Sequence, residues 1–303
     1  MSNSQESPLA PIEAPYTEAG KNRNPHPNFD LVSSSRPPYP KTNTWTYHKS
    51  PRPNWTWGEG ASDSLWQNQP FTTIDPSEPG RSSNLNYKLM ISSTVPRPIA
   101  LLSTISASGT RNLAPFSYFQ AVSSDPPMYM VSIVGDAKKD SLNNLLETKE
   151  ACISLISDSY IEAANATAIN TPPQTSEWEL SGLHQRASFK VAPPHVAESP
   201  FSIELVYYSH TDITSPTTGQ RTATMVLLQA VRYHCRADAI AEDRATVDIA
   251  KLRPCFRAGG ITYGIAFDGF EIPRPGPWRE VREGEDVKRV IAKAGGGGTA
   301  EKL

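Results

Sequence analysis

The amino-acid sequence predicts a mainly β domain, a barrel or sandwich of short strands with helices at its periphery. Short runs rich in β-branched and apolar residues recur from residue 99 onward. Turn sequences such as Ser108-Gly109 and Thr218-Gly219 separate these runs. Many short strands with frequent turns are typical of barrels and sandwiches, whereas parallel sheets alternate their strands with long helices.

The apolar runs define the expected strands, which cover residues 99–106, 128–135, 151–157, 201–210, 222–236 and 261–272. A first helix is expected after Asp140 as N-cap, because Leu142, Leu145 and Leu146 follow at helical spacing. A second helix is expected over 159–169. A third is expected after Asp243 and ends before Pro254, since proline cannot continue a helix.

The first 80 residues differ in composition from the rest, with 13 of the 28 prolines and four of the six tryptophans. Such a polar, proline-rich stretch buries too little apolar area to offset chain entropy. We therefore expect a disordered tail over 1–40 and an irregular aromatic arm over 41–84, lying on the domain or on a partner subunit. The main domain is expected over 85–280, followed by a flexible tail over 281–303.

Charge and composition exclude several classes of protein. The formal net charge is -2 and no block of Lys and Arg is present, so a nucleic-acid partner is not expected. Neither a membrane-length apolar run nor a signal-peptide pattern is found, which predicts a cytoplasmic protein without a membrane partner. The three cysteines form no CxxC or zinc-type cluster, so no metal is expected.

Familiar nucleotide and hydrolase motifs are missing from the sequence. No GxGxxG opens a helix after a strand, and neither GxxxxGK[ST] nor GxSxG occurs. The six histidines lie in unrelated contexts, which disfavours a Ser-His-Asp hydrolase.

Polar residues are concentrated at the expected strand ends between residues 103 and 141. Ser103, Thr104, Asn112 and Ser117 precede a lysine and a serine at the start of the first expected helix. Hydroxyls, an ammonium and the free N–H groups of a helix N-terminus are suited to a phosphate. Backbone groups of residues 112–115, next to a proline, are suited to the edge of a planar heteroaromatic ring. The alternative is that these are ordinary strand-end residues and a solvated lysine.

The same segment resembles the flavin reductase-like family through an ordered series of motifs. These are Pro96-Arg97-Pro98-Ile99, Ser103-Thr104, Asn112 through Phe119, Asp125-Pro126-Pro127 and Lys139-Asp140-Ser141. The resemblance extends over roughly residues 85–275 and includes 163–170, 176–183 and 250–264. Residues 54–61 resemble the N-terminal arm of fungal-type members.

The resemblance implies a Greek-key FMN-binding split β-barrel that forms a homodimer with a flavin at the interface, FMN being preferred to FAD. It assigns the isoalloxazine and ribityl contacts to Ser103, Thr104, Asn112, Leu113 and Ala114. It assigns the phosphate to the set Ser117, Lys139 and Ser141, with Asp140 beside them and Arg97 near the flavin or its phosphate.

The implied activity is an FMN-dependent oxidoreductase that passes electrons to free flavin or to a small-molecule substrate. NAD(P)H is a candidate donor, although the GDH segment with which relatives receive nicotinamide is missing. The alternatives are a non-enzymatic FMN-binding or storage protein and a specialised FMN enzyme of secondary metabolism. The sequence assigns no catalytic residue and leaves the roles of His234, Arg257 and Tyr263 open.

Overall fold

A computed structural model describes residues 28–40, 44–61, 63–135, 139–172 and 174–295 of the chain. The chain divides into two compact units. The larger unit contains the residues up to Thr44 together with Gly80–Ala266, and the smaller contains Trp45–Pro79 together with the residues from Phe267 onward. The division differs from the linear order of arm, domain and tail expected from composition, because most of the arm and the tail share one unit.

Strands account for most of the larger unit. In chain order the strands of both units are β1 (Thr46–His48), β2 (Arg97–Pro98), β3 (Ala100–Ile105), β4 (Arg111–Phe116), β5 (Phe119–Ser124), β6 (Pro127–Val134), β7 (Glu150–Leu155), β8 (Gln185–Arg186), β9 (His195–Val196), β10 (Phe201–Thr214), β11 (Arg221–Cys235), β12 (Cys255–Arg257), β13 (Tyr263–Ile265) and β14 (Asp268–Phe270).

The helices are short and lie between the strands or near the ends of the described chain. They are α1 (Phe29–Ser34), α2 (Leu65–Asn68), α3 (Ser83–Ser93), α4 (Asp140–Thr148), α5 (Ile161–Ala166), α6 (Glu177–Ser181), α7 (Ile249–Leu252), α8 (Trp278–Val281) and α9 (Glu285–Gly295), with a 3-10 turn at Asp158–Tyr160. Among the described residues, no helix is long and apolar enough to cross a bilayer.

The central feature of the larger unit is a seven-stranded sheet in the order β4-β3-β7-β10-β11-β6-β5. Every neighbouring pair in it is antiparallel. The longest pair is the β10–β11 hairpin, whose three register shifts bend it along its length. The expectation of a mainly β domain with peripheral helices is confirmed.

Both faces of the sheet are covered, which explains why some strands are apolar without alternation. Leu101 and Leu102 are fully buried, yet they belong to different hydrophobic clusters because successive side chains point to opposite faces. Leu142 of α4 packs in the cluster of Leu102, and Trp178 of α6 packs in the cluster of Leu101. The sheet end that carries β3 and β4 is therefore fixed between α4 on one face and α6 on the other.

The smaller unit joins the aromatic arm to the chain that follows the main domain. β1 pairs in parallel with β14, and Thr46 N–H donates to the carbonyl of Phe267 over 2.7 Å. A Cβ on Gly269 would lie 2.1 Å from the Trp45 ring, so only glycine fits beneath that indole. Trp55 and Trp57 pack edge to face with ring centroids 5.8 Å apart.

Several expected elements differ from those observed. The run 261–272, expected as one strand, forms β13 in the larger unit and β14 in the smaller, since the boundary between units follows Ala266. The described part of 281–303, expected as a flexible tail, contains α9. Of the expected disordered tail, residues 1–27 lie outside the described residues, as do 41–43 of the arm and 296–303 at the other end.

Candidate functional site

Two neighbouring depressions in the larger unit share Pro115, Phe116 and Lys139 and have volumes of about 300 and 370 Å³. The helix depression is lined by Asn112, Ala114, Pro115, Phe116, Lys139, Asp140, Ser141, Thr167, Ala168, Ile169, Asn170, Thr171 and Glu177. The arginine depression is lined by Tyr87, Ile91, Arg97, Pro115, Phe116, Ser117, Tyr118, Ser132, Val134, Lys139 and Arg257.

Strand β4 forms the shared wall of the two depressions. It is the edge strand of the seven-stranded sheet, so Pro115 interrupts no ladder on its outer side. Phe116 is 7% exposed and lies in the core cluster, which holds this wall in place from behind. Asn112, Ala114 and Pro115 of this strand line the helix depression, and the predicted contact of their backbone groups with a ring edge stays a prediction.

The N-terminus of α4 opens into the helix depression without a side-chain cap. The N-cap is Lys139, in extended conformation, and its side chain makes no capping hydrogen bond to the helix. Asp140 was expected to be the N-cap but is the first helical residue. Uncapped first-turn N–H groups, the positive end of the helix dipole and a lysine together favour an anion.

Ser141 is positioned by a buried hydrogen bond across the helix depression. Asn112 Nδ2 donates to Ser141 Oγ over 2.9 Å, and these residues are 9% and 2% exposed. The Ser141 hydroxyl keeps its own proton for a further acceptor. The exposed Lys139 ammonium lies 5.8 Å from the centroid of the Phe116 ring, at the boundary of the two depressions. Lysine and serine thus approach the same space from one helix end.

Glu177 is a buried carboxylate, 4% exposed, in the wall of the helix depression. Its Oε2 accepts from the backbone N–H of Leu113 over 3.1 Å, and its Oε1 accepts from Thr171 Oγ1 over 2.5 Å. This side chain therefore joins strand β4 to the 167–171 segment, which forms the opposite wall.

Two arginines dominate the arginine depression. Arg97 and Arg257 are register partners in β2 and β12. The Arg97 guanidinium donates to the carbonyls of Ile91, Thr94 and Ala258, while its Nε–H has no acceptor among the described residues. Arg257 Nη2 donates to the Gly260 carbonyl over 2.8 Å. Three of the five Arg97 N–H donors thus hold backbone carbonyls, and the Nε–H has no acceptor within the described part of the chain.

Tyr118 adds a second buried donor without a partner to the arginine depression. Its hydroxyl is inaccessible to solvent and has no hydrogen-bond partner among the described residues. Burial raises the pKa of Tyr118, so the hydroxyl retains its proton at neutral pH. A neutral phenol and an arginine N–H in one depression are suited to the oxygen of a bound ligand.

The structure brings most of the predicted site residues together. Asn112, Ala114, Asp140 and Ser141 line the helix depression, Arg97 and Ser117 line the arginine depression, and Lys139 lines both.

Ser103, Thr104 and Leu113 are buried and line neither depression. Asn144 Nδ2 donates to Thr104 Oγ1 over 3.0 Å, and Leu113 is held through its amide by Glu177. The Ser103 hydroxyl has no partner among the described residues. Their assignment to flavin contacts remains a prediction.

Sequence reasoning missed the walls supplied by distant segments. It recognised 163–170 and 176–183 as family-like runs without giving them a role, and both contribute to the helix depression. Tyr87 and Tyr118 were also missed, and Arg257 was left open. In the sequence, the only indication that Glu177 is buried is its position directly before the tryptophan at 178. Its structural role, accepting a hydrogen bond from the Leu113 amide, is visible only in the folded protein.

Known proteins resemble this chain over about three fifths of its length. It is 33% identical to an uncharacterised protein of Aquifex aeolicus over 184 residues, covering 60% of this chain and 90% of that protein. An uncharacterised protein of Bacillus subtilis is 30% identical over 196 residues, covering 64% and 95% respectively.

Solved structures show the same fold. Nitrilotriacetate monooxygenase component B from Bacillus cereus is 30% identical with a TM-score of 0.64, and the match covers 67% of this chain and 100% of that one. The 2-nitrobenzoate 2-nitroreductase of Pseudomonas fluorescens is 26% identical with a TM-score of 0.60, covering 67% and 96%. A flavin reductase-type split-barrel protein from Shewanella frigidimarina shares the fold at 19% identity, with a TM-score of 0.55 and coverage of 65% and 93%.

The family model described as the flavin reductase like domain matches residues 92–248, just over half of the chain. That span contains all the predicted site residues and most of the residues that line the two depressions. This chain therefore belongs to the flavin reductase-like domain family.

Proposed function

We propose that this protein binds FMN in the helix depression and acts as an oxidoreductase on a small substrate in the arginine depression. The carrying observation is the uncapped start of α4, where Lys139 and the hydrogen-bonded Ser141 face a depression of about 300 Å³. Membership of a flavin reductase-like family supports a flavin-related oxidoreductase. The choice of FMN over FAD rests on a site that provides for one phosphate group.

The residues present fit a phosphorylated flavin. Lys139, the Ser141 hydroxyl and the first-turn amides of α4 would hold the phosphate, with Asn112 keeping Ser141 in position. Backbone groups next to Pro115 would meet the polar edge of the ring. When bound, the flavin supplies the hydride and electron chemistry, and the protein positions it and shields it from water.

The arginine depression favours an anionic substrate. Arg97, Arg257 and Lys139 line it, and among the residues that the structure describes no Asp or Glu does so. Like charges placed directly opposite in a sheet repel, so the Arg97–Arg257 pairing is relieved by a negatively charged ligand. The 2-nitrobenzoate named for one structural relative is an aromatic carboxylate, which agrees with this charge. Tyr118 and Arg97 Nε–H would orient its oxygen atoms.

The electron donor and the assembly belong to the same proposal. NAD(P)H is the candidate donor, approaching from the arginine depression, although the missing GDH segment leaves a storage or carrier role as the alternative.

The fold relatives support a Greek-key split barrel, and we propose that two copies pair with a flavin at each interface. The arm, which resembles that of fungal-type members, would contribute to this pairing.

The first test is the phosphate site, measured as the Kd of FMN and of riboflavin by flavin-fluorescence titration. Lys139→Ala should weaken FMN binding by about 10- to 100-fold, the value of a charge-assisted hydrogen bond. Riboflavin, which has no phosphate, should bind both forms equally. Lys251→Ala, at an exposed position on α7, is the matched control. Equal loss of both flavins in Lys139→Ala, or loss of neither, contradicts the assignment.

Activity is tested by anaerobic mixing of the FMN-loaded protein with NADH or NADPH. Bleaching of the flavin on the timescale of turnover, followed by reoxidation with 2-nitrobenzoate or free FMN, supports an oxidoreductase. A flavin that stays oxidised with both donors, yet is bound stoichiometrically, identifies the storage alternative.

A further inference from the structure

A separate cavity of about 520 Å³ lies where β6 and β11 meet the turn over residues 240–247. None of its lining residues lines the helix or arginine depression. Its volume lies in the range of small-molecule sites, about 300–1,000 Å³. It is therefore a space that the flavin chemistry does not use.

The walls of this cavity are aromatic. Phe201 and Tyr233 face each other with ring centroids 5.7 Å apart, and the hydroxyls of Tyr129 and Tyr233 lie 3.5 Å from each other. Tyr233 is 45% exposed, which is a large aromatic surface left to water at the end of a core strand. Such walls suit a flat ring system.

Arg244 is the one cationic side chain among the described residues that line the cavity. It lies at the tip of a tight turn in which Ile240 and Val247 form a β-bridge and Ala241 N–H donates to the Thr246 carbonyl over 2.9 Å. Its φ of 55° is left-handed, an uncommon conformation for a residue other than glycine. This turn fixes the backbone from which the guanidinium extends.

Within the described part of the chain, the Arg244 side chain has neither a hydrogen bond nor an ion pair. The acidic side chains close to Arg244 in sequence are engaged elsewhere or do not line the cavity. Asp243 Oδ1 accepts from Ala245 N–H over 2.8 Å, Asp238 pairs with Arg236, and Glu242 is exposed and does not line the cavity. The lining thus combines aromatic rings with one unpaired positive charge.

We propose that this cavity is a second binding site, for a flat aromatic carboxylate of one or two rings. The rings of Tyr129, Phe201 and Tyr233 pack against the aromatic part, and Arg244 pairs with the carboxylate in a bidentate manner. The site is independent of the proposed flavin site and of its chemistry.

Cys235 offers a direct readout, because its side chain lines the cavity and is partly exposed. Cys152 and Cys255 are buried, and burial raises the pKa of each thiol to about 12, so both serve as unreactive internal controls. The protein is treated with N-ethylmaleimide, with and without 2-naphthoate, and the alkylation of each cysteine is followed by mass spectrometry. Naphthoate fluorescence gives the Kd in parallel, so the result does not depend on thiol reactivity alone.

The expected result is that 2-naphthoate slows Cys235 alkylation, whereas the uncharged 2-naphthamide does so at least about tenfold less effectively. Arg244→Ala should weaken naphthoate binding by about tenfold or more and remove this preference for the acid. Arg232→Ala is the matched control, because Arg232 is an exposed arginine on β11 that does not line the cavity. This variant should bind naphthoate as tightly as the wild type does.

Four outcomes would overturn the proposal. The first is no naphthoate binding at millimolar concentration, and the second is equal protection by the acid and the amide. The third is binding that Arg244→Ala leaves unchanged, and the fourth is binding that occurs without protection of Cys235. Circular dichroism confirms that each variant is folded, and Arg244→Lys, which keeps the charge, should retain part of the affinity.

Discussion

Replacing Glu177 tests whether one buried carboxylate holds the two walls of the helix depression together. In Glu177→Ala the amide of Leu113, which is 0% exposed, loses its acceptor, and Thr171 Oγ1 loses one of its two acceptors while keeping the carbonyl of Thr175. An unsatisfied buried amide costs about 1–3 kcal/mol and the second hydrogen bond about 1 kcal/mol. We expect a loss of about 2–4 kcal/mol in the free energy of unfolding, or a Tm lower by roughly 4–16 °C.

Glu177→Gln is the informative companion variant. Its amide oxygen can still accept from Leu113 N–H, and its amide nitrogen can donate to Thr171 Oγ1, so only the charge is lost. The expected loss is about 1 kcal/mol. Glu179→Ala, at an exposed position on the same helix, is the control and should stay within about 0.5 kcal/mol of the wild type.

Two measurements follow the change. Urea unfolding monitored by far-ultraviolet circular dichroism gives the free energy, since the sheet of the larger unit dominates that signal. Hydrogen exchange of the β4 peptide reports on the Leu113 amide directly, and this amide should exchange faster in Glu177→Ala alone. If Glu177→Ala matches Glu179→Ala in both measurements, the reasoning about Glu177 is refuted.

Two further predictions concern pH. Hydrogen bonds from Arg253 lower the pKa of Asp158, and the Arg253 Nε–H lies 2.9 Å from both carboxylate oxygens. The pair therefore stabilises the fold above the unfolded-state pKa of about 3.9, and the contribution is lost as pH falls through the lower folded-state value. Arg253→Met should be less stable than the wild type at pH 7, with the gap in urea unfolding closing below pH 4; a gap that is the same at pH 7 and pH 3 would contradict the assignment. Burial is the main cause that lowers the pKa of His195 to about 4, while its ring stacks on His234 with centroids 4.3 Å apart. Since an unfolded histidine titrates near 6.5, the unfolded state binds more protons than the folded state between pH 4 and 6.5. Stability therefore decreases as the pH is lowered from 6.5 to 4. His195→Gln should lose less stability than the wild type between pH 6.5 and 4, and the His195 ring signals in NMR should not titrate from pH 7.5 to 5.5; a midpoint near 6.5 would refute this.

The elements predicted from local patterns were those whose burial is set by their own sequence. The apolar runs at 99–106, 128–135 and 151–157 correspond to β3, β6 and β7. β3 and β7 are apolar without alternation because strands buried on both faces need continuous apolar residues. The helix over 141–150 was found from its leucine spacing. Its first residue was misplaced, because a lysine at the N-cap position gives no capping signal.

The polar residues between 97 and 141 were recognised in sequence since they are close together there and follow the motif order of a known family. Their division into two depressions was not predictable. Arg97 lines one depression while its guanidinium donates to three backbone carbonyls. Thr104 Oγ1 accepts a hydrogen bond from Asn144 and lines neither depression. Partners of this kind depend on which strand lies beside which, and no local pattern encodes that.

The sequence by itself determined that the chain is mainly β, which family it belongs to, and which short segment of it is rich in phosphate-binding groups. Tertiary structure alone decided that residues 45–79 join the chain beyond 267 in a second unit, that Glu177 links β4 to the opposite wall, and that Arg244 faces an aromatic cavity. The physical reason is that strand propensity and helix spacing act over a few residues. Walls, buried partners and unpaired charges arise between residues far apart in the chain, where only the packed fold sets their distances.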